Sequence, residues 1–156
     1  MMLLLTIVST QILLGACDLG CPVAFVLNGT SCYHFSHDQE EYTSAMDICT
    51  RLDSYLAEVD STIEGAFLSE QAHNNNRKYW IGLSDILEEG VWRWNINGDP
   101  PVPEVLNWAP QEPNNWNPGN ENCVVIKNDG HWGDYECKNY FQYICETEAQ
   151  PTGIIG

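Results

Sequence analysis

The sequence predicts an α+β domain of two amphipathic helices and a set of antiparallel strands, with one long polar loop. Apolar residues recur at helical spacing in two segments of the first half of the chain, and short strand-like runs fill the second half. Of the seven cysteines, the six that follow Cys17 are spread over both halves, which favours a disulfide framework. At 156 residues, 44% of them apolar, the chain has the size and composition of one globular domain.

The first half of the chain predicts a hairpin and then both helices. Asn28-Gly29 separates two short apolar runs between Cys21 and Phe35, a pattern typical of a β-hairpin. Ser61-Thr62-Ile63-Glu64 has the Ser-x-x-Glu pattern of a capping box, so a helix begins there, and Asn74-Asn75-Asn76 ends it. The periodic positions are Tyr42, Ala45, Met46, Cys49 and Leu52 in the first helix, and Ile63, Phe67, Leu68 and Gln71 in the second.

The second half predicts four strands and one long connection. Tyr79–Leu83 has the composition of a buried strand, and Val91–Trp94 alternates its faces. Cys123–Ile126 and Tyr140–Cys145 close the domain as strands. Between Asn95 and Asn122 nothing is periodic, and six prolines fall in that span. A loop this long in a compact domain is either functional or a sign that an element has been missed.

The segment QEPNNWNPGNENC, residues 111–123, concentrates oxygen-bearing side chains in that loop. Calcium prefers about six to eight oxygen ligands from carboxylates, amides, backbone carbonyls and water. Asp134, a little further along, adds another carboxylate. Asn, Pro and Gly are also ordinary turn residues, so spacing alone leaves a calcium site and a simple turn equally open.

The net charge of −16 constrains the partners. Binding of nucleic acid depends on Lys and Arg at the phosphates, and the chain has only 6 of these residues against 22 acids. Nucleic acid is therefore excluded as an expected partner. The charge is compatible with cation binding outside the cell, although solubility alone also explains an acidic surface.

The amino-terminal residues 1–16 are uncharged and largely apolar, which predicts a secretory signal peptide whose cleavage falls after residue 16 or 17. A buried N-terminal strand or helix is the alternative. No second apolar span follows, so the expected mature protein is secreted, extracellular and without a membrane span. Asn28-Gly29-Thr30 is a glycosylation sequon. If Cys17 is retained, this odd cysteine could link two chains into a homo-oligomer.

Four short motifs resemble those of the C-type lectin-like domain family, in the same order, over Cys21 to Glu146. The motifs are Trp80-Ile81-Gly82-Leu83, Leu106-Asn107-Trp108, Glu112-Pro113-Asn114 and Trp132-Gly133-Asp134. The resemblance implies a C-type lectin-like fold with a long calcium-binding loop, and residues 147–156 follow it as a short tail. It also implies three disulfides: Cys21–Cys32, Cys49–Cys145 and Cys123–Cys137.

The resemblance further implies a site at which one Ca²⁺ bonds to two vicinal sugar hydroxyls. The implied calcium ligands are Glu112, Asn114, Glu121 and Asp134, of which the first three would also bind the sugar. Members with Glu-Pro-Asn prefer mannose-type sugars, and the family uses a cis bond at the position of Pro113. Gly133 stands where the family has asparagine, so one calcium ligand and one sugar-facing amide are missing.

Two further features surround this implied site. Asp85, Glu89, Asn115 and Asn122 match positions that hold a second calcium in some members, and Asp85 and Glu89 are otherwise turn and surface residues. Trp116 lies inside the polar loop, where it could stack on a sugar ring or pack the loop.

The expected function is therefore a secreted, calcium-dependent lectin that recognises mannose-type or related glycans on cell or microbial surfaces, as in innate immunity. An enzyme is not expected, because no GxSxG, HExxH or phosphate-binding glycine loop occurs. Two alternatives remain: an acidic matrix or mineral-associated protein, and a protein-binding domain that has lost sugar binding. A single weak site would need multivalency, which favours a homo-oligomer.

Overall fold

The computed structural model describes residues 18–116 and 119–152, in which two helices pack against one main sheet. Helix α1 is Tyr42–Arg51 and helix α2 is Thr62–Asn75. A 3₁₀ turn lies at Pro103–Val105. In chain order the strands are β1 Leu19–Gly20, β2 Val26–Asn28, β3 Ser31–Phe35, β4 Tyr55–Leu56, β5 Tyr79–Ser84, β6 Arg93–Trp94, β7 Cys123–Ile126, β8 Trp132–Tyr135, β9 Gln142–Glu148 and β10 Gln150–Pro151.

The main sheet has the strand order β2-β3-β9-β5-β7-β8, with β4 paired to β9 and β6 paired to β5. Neighbouring strands in this sheet are antiparallel, with one exception. Strands β5 and β9 run parallel, and their paired residues are Tyr79↔Gln142 and Trp80↔Tyr143. Strand β9 thus joins the first hairpin to the strands of the second half. The predicted α+β architecture is confirmed, and the parallel pair is an addition to the antiparallel strands that the sequence predicted.

Helix α2 begins and ends where its sequence signals predicted. The Ser61 hydroxyl accepts the Glu64 N–H at 3.2 Å, and the Glu64 carboxylate accepts the Asp60 N–H at 2.8 Å. Asn76 ends the helix in the left-handed region at φ 50°. The placement of Ile63 on the buried face was wrong: its side chain is 80% exposed. The helix buries Leu68 and Ala72, one turn apart, and Ile63 lies on the opposite side.

The predicted strands form the core, but some of them begin or end at other residues than predicted. All six residues of β5 are buried, and Trp80 and Trp132 are fully enclosed. The strand predicted at residues 91–94 is only the two-residue β6, and β9 begins at Gln142 and extends past Cys145. Strand β8 was not predicted, because Trp132–Tyr135 offers only four residues with a glycine among them.

Three disulfides join the cysteine pairs that the resemblance implied. Cys21–Cys32 closes the first hairpin, Cys49–Cys145 ties α1 to β9, and Cys123–Cys137 brackets β8. The last bridge closes the chain around the segment that carries Asp134.

The chain ends of the described part lie side by side. Strands β1 and β10 pair, and the Thr152 N–H donates to the Asp18 carbonyl at 2.7 Å, so the predicted short tail is held against the start of the described residues at Gln150–Pro151. The predicted signal peptide and Cys17 lie outside the described residues. Within the described residues, no helix has the length and apolar character needed to cross a membrane.

Candidate functional site

The base of the long loop is fastened to β8. The Ala109 N–H donates to the Trp132 carbonyl at 2.8 Å, and the Trp132 N–H donates to the Asn107 carbonyl at 2.7 Å. The rings of Trp108 and Trp132 meet edge to face at 6.0 Å, and Trp92 packs on Trp108 at 5.0 Å. These contacts bring the polar part of the loop against the strand that carries Asp134.

Asp134 organises the loop from beneath. Its carboxylate is 3% exposed, and its two oxygens accept the N–H groups of Asn114 at 3.0 Å and Asn115 at 2.8 Å. The Glu112–Pro113 peptide bond just before these residues is cis, as the resemblance implied. A carboxylate that accepts two backbone N–H groups is held firmly in one orientation.

Glu112 and Asn114 complete the group around Asp134. The Asn114 amide donates to the Glu112 carboxylate at 2.7 Å. Burial, together with the hydrogen bond and the negative charge of Asp134, raises the pKa of Glu112 to about 7. Two carboxyls this close repel each other when both are ionised, and a bound cation would relieve that repulsion.

Glu121 approaches the same loop from its far end. Its carboxylate accepts the Trp116 N–H at 2.6 Å. The Asn115 side-chain oxygen accepts the N–H groups of Asn120 and Glu121 at 3.4 and 3.3 Å. The loop is thus closed by its own polar contacts on both sides of residues 117–118, which lie outside the described residues.

Because Gly133 has no side chain, the Glu112 carboxyl can lie close to its Cβ position. A Cβ atom built on Gly133 would lie 3.3 Å from Glu112 Oε1 and 3.2 Å from Tyr135 Cε2. No amide side chain enters the site from this position. The carboxyl of Glu112 instead lies beside the place that such a side chain would take.

The second predicted set lies beside the first. Asp85 is 2% exposed; its carboxylate accepts the Gly90 N–H at 2.8 Å, and its own N–H donates to the Asn122 carbonyl at 3.2 Å. The Glu89 carboxylate accepts the Asn115 amide at 2.8 Å. One side-chain oxygen of Asp85 and that of Asn122 are buried without a hydrogen-bond partner. Such orphaned oxygens cost about 1–3 kcal/mol each unless something donates to them or binds them.

The donor chemistry of both sets fits calcium. The residues offer carboxylate, amide and backbone oxygens, which are the ligands that a hard cation prefers. In residues 18–116 and 119–152, no three acidic, histidine or cysteine side chains converge to form a metal cage by themselves. An ion held here would therefore need amide and backbone oxygens as well as the carboxylates.

Trp116 projects from the loop into solvent. Its side chain is 84% exposed, while its backbone N–H is tied to Glu121. This exposure contradicts a core or loop-packing role for the indole.

Asn115 has a larger role than the sequence suggested. Its side-chain amide donates to Glu89, and its backbone N–H donates to Asp134. Its side-chain oxygen closes the loop by accepting the Glu121 N–H. Asn115 adopts a positive φ of 44°, a conformation in which asparagine is enriched among non-glycine residues. The sequence pointed to Asn115 only as a position of the implied second calcium site, and the structure shows that it connects the two predicted sets.

Comparisons with known proteins agree with this architecture. The family model for the lectin C-type domain matches residues 38–147. Perlucin of Haliotis laevigata is 35% identical over 137 residues, which cover 85% of this chain and 86% of perlucin. Human asialoglycoprotein receptor 2 is 34% identical over 139 residues, 86% of this chain, although the match spans only 43% of the receptor.

Among solved structures, the carbohydrate-recognition domain of the mouse scavenger receptor C-type lectin superposes with a TM-score of 0.78. It is 30% identical, and the match covers 84% of this chain and all of that domain. Domains of this family bind carbohydrate, typically with Ca²⁺, and are not enzymes, which confirms the expectation of a binding module. On sequence, disulfides and fold together, the chain belongs to the C-type lectin domain family.

Proposed function

We propose that this domain binds mannose-type or related glycans through a calcium ion held by Glu112, Asn114, Glu121 and Asp134. The observation that supports this most directly is the arrangement around Asp134, which binds the backbone of Asn114 and lies beside the Glu112 carboxyl. A site of this kind uses the same side chains for the ion and the sugar hydroxyls.

The chemistry of Glu112 and Asn114 supports the sugar preference. A carboxylate accepts a hydrogen bond from a hydroxyl, and an amide NH₂ donates one to a hydroxyl oxygen. In the structure these two side chains satisfy each other at 2.7 Å. Two equatorial vicinal hydroxyls, as in mannose, would replace that contact with one acceptor and one donor.

Gly133 and Trp116 act on affinity in opposite directions. The amide missing at Gly133 removes a donor to the sugar, and a hydrogen bond to a charged partner contributes about 1.5–3 kcal/mol. The exposed indole of Trp116 can stack on a pyranose ring and offset part of that loss. We therefore expect weak binding per domain.

A second calcium would bind at Asp85, Glu89, Asn115 and Asn122. The buried oxygens of Asp85 and Asn122 that lack a partner support this assignment. Two of these four residues are amides, so the negative charge and the affinity would be lower than with four acids. An ion here would also steady Asn115, and through it the first site.

The proposed setting is extracellular, since the sugar ligands and millimolar calcium are found there. Asn28, the glycosylation candidate, is half-buried at the end of β2 beside the hairpin turn. Because each domain offers one weak sugar site, useful avidity would come from a homo-oligomer, with Cys17 as the candidate link.

Affinity chromatography tests the proposal. The protein is passed over mannose-agarose in calcium and eluted with chelator, beside Asp134→Asn and the surface control Glu70→Gln. We expect wild type and Glu70→Gln to be retained until chelator is added, and Asp134→Asn to flow through while its circular dichroism stays unchanged.

Three other results would overturn the proposal. Calcium binding by calorimetry without retention on mannose or galactose would favour the acidic matrix or mineral-associated alternative. Retention that persists in chelator would favour a protein-binding domain. Equal retention of Asp134→Asn and wild type would remove Asp134 from the site.

A further inference from the structure

An open depression lies between the first hairpin and the start of α2. This hairpin depression is lined by Asn28, Ser31 and Tyr33 from the hairpin and by Asp60, Ile63 and Glu64 around the start of the helix. Among the described residues that line it, none belongs to the two calcium sets. Its volume is about 280 Å³, just below the roughly 300–1,000 Å³ of small-molecule pockets, so it offers room for a single sugar ring.

The strand register places the Asn28 side chain on the face of the hairpin that α2 covers. Asn28 pairs with Ser31, and Val26 pairs with Tyr33, in the antiparallel ladder of β2 and β3. Side chains of paired residues lie on the same face of such a ladder, and so do residues two apart along a strand. The Tyr33 hydroxyl donates to the Glu64 carboxylate, which identifies this face as the one that meets α2. Asn28 therefore lies at the edge of the depression, across from the first turn of α2.

Asn28 also begins the sequon Asn28-Gly29-Thr30, which occupies the hairpin turn. Gly29 and Thr30 are exposed, and Gly29 turns the chain with φ 59°. An exposed sequon in a secreted chain is an acceptor for N-linked glycan, and the first sugar of that glycan is N-acetylglucosamine. The sugar would be bonded to the Asn28 side-chain nitrogen, so it would start from the edge of the depression.

Ile63 is an apolar side chain of the depression that protein atoms leave uncovered. It is 80% exposed in the first turn of α2, whereas Tyr33, which lines the same depression, is 1% exposed. N-acetylglucosamine presents C–H groups on its ring and a methyl group on its acetyl substituent, and both can pack on an aliphatic side chain. Removal of the Ile63 surface from water would favour that contact.

The polar wall of the depression also suits a sugar. Asp60 and Ser61 are exposed, and carboxylate and hydroxyl oxygens accept hydrogen bonds from sugar hydroxyls and from the N-acetyl N–H. The Glu64 carboxylate is held in place by the Tyr33 hydroxyl and by the Asp60 N–H at 2.8 Å. The depression thus combines an aliphatic contact with oriented acceptors, and a sugar ring carries the groups that complement both.

We propose that Asn28 carries an N-linked glycan whose first N-acetylglucosamine packs in the hairpin depression, against Ile63 and beside Asp60. The sugar then forms part of the folded surface and fastens the first hairpin to α2. The proposal rests on the extracellular setting of the proposed function, because only a secreted chain meets the glycosylation machinery. It does not depend on whether the domain binds mannose.

The test compares glycoforms of the full chain, secreted from a eukaryotic host that makes high-mannose glycans. Peptide mass spectrometry establishes whether Asn28 is modified. Endoglycosidase H trims the glycan to one N-acetylglucosamine, and Thr30→Ala, which destroys the sequon, supplies the unglycosylated form. Thr30→Ser keeps the sequon and is the matched control.

Melting temperatures are measured in chelator, so that neither calcium nor sugar binding at the loop contributes. We expect the intact and trimmed forms to melt about 2–4 °C above Thr30→Ala, because the first sugar supplies most of the contact. Thr30→Ser should melt with wild type.

Variants at exposed apolar residues locate the contact. The glycan gain is the melting temperature of the trimmed form minus that of Thr30→Ala, measured in one background. Ile63→Ser should reduce this gain by more than half, whereas Leu87→Ser, at an equally open apolar residue outside the depression, should leave it unchanged within error. Each background has its own unglycosylated form, so the direct effect of the substitution cancels.

Three results would overturn the inference. A secreted protein with unmodified Asn28 carries no such glycan. A trimmed form that melts with Thr30→Ala would place the first sugar in solvent. An equal gain in the Ile63→Ser and Leu87→Ser backgrounds would mean that the sugar does not contact Ile63. Retention of Thr30→Ala on mannose-agarose in calcium tests the proposed function separately, since that variant lacks the glycan and keeps the loop.

Discussion

Glutamates with a raised pKa occur in two regions of this molecule that have very different surroundings. The loop carboxyls are Glu112, which accepts a hydrogen bond from the Asn114 amide, and the buried Asp134, which accepts the Asn114 backbone N–H. The sheet carboxyls, Glu58 and Glu146, lie almost fully buried between β4, β9 and the start of α2. Burial raises the pKa of both Glu58 and Glu146 to about 7.

The surroundings decide what ionisation does in each group. Near the sheet carboxyls the charge of Glu64 acts with burial to raise the pKa of Glu146, and one oxygen of Glu58 is buried without a partner. Ionising them therefore opposes folding. In the loop the extra proton on Glu112 can be exchanged for a cation, because oxygens and amides lie around it. The same chemical group thus couples one region to pH and the other to a ligand.

The largest expected effect is the loss of stability that the sheet carboxyls cause as the pH rises from about 5 to about 7. Their pKa is about 7 in the folded protein and about 4.5 when exposed, so the stabilisation is complete below pH about 4.5 and is lost as the pH rises through about 7. In calcium-free buffer we expect the free energy of unfolding, from urea titrations, to fall by about 2–5 kcal/mol between pH 5 and pH 8.

A double variant separates this effect from the rest of the molecule. Glu58→Gln with Glu146→Gln should flatten most of the pH dependence, whereas Glu112→Gln should remove only the contribution of the loop. If the double variant keeps the wild-type slope, the two buried carboxyls are not its cause.

The next largest effect expected is a loss of calcium affinity when a loop carboxyl is neutralised. Glu112→Gln removes one charged ligand, so calorimetry should show calcium affinity falling at least tenfold, about 1.5–3 kcal/mol. Without calcium the variant should be no less stable than wild type at pH 8, because repulsion with Asp134 disappears. If Glu112→Gln were instead less stable than wild type and bound calcium equally well, Glu112 would contribute to stability and not to calcium binding.

Trp116→Ala should affect the sugar and not the ion. Loss of stacking is expected to weaken binding to a mannose glycan about tenfold, or about 1.4 kcal/mol, as measured by glycan-array titration or calorimetry. The calcium affinity and the melting temperature should stay within error, because the side chain is exposed. Trp116→Phe, which keeps a stacking ring, is the matched control and should retain most of the affinity.

The smallest effect expected is a gain from Gly133→Asn. The new amide would supply a sugar contact of about 0.5–1 kcal/mol, seen as a severalfold tighter dissociation constant. The added Cβ must displace the Glu112 carboxyl and the Tyr135 ring by a few tenths of an ångström, which limits the gain. Gly133→Ala adds the Cβ without the amide, and an equal result for the two variants would show that the amide contributes nothing.

Local patterns allowed much of the fold to be predicted. The cap at Ser61, the end of α2 at Asn76 and the strand Cys123–Ile126 depend on neighbours a few residues apart, so they can be read in one segment. Strand β8 escaped prediction because its four residues carry no clear alternation. Ile63 was misplaced because spacing finds a periodic set without saying which face of α2 the sheet covers.

The site divides in the same way. The sequence by itself determined that the loop is rich in oxygen ligands, that Asp134 follows at a short distance and that Gly133 carries no amide. Only the tertiary structure decided that Asp134 binds the backbone of Asn114 and Asn115, some twenty residues away. It also decided that Glu58 and Glu146 meet across 88 residues and that Leu87 stays exposed. Contacts at such separations depend on sheet register and loop anchoring, which no local run of residues encodes.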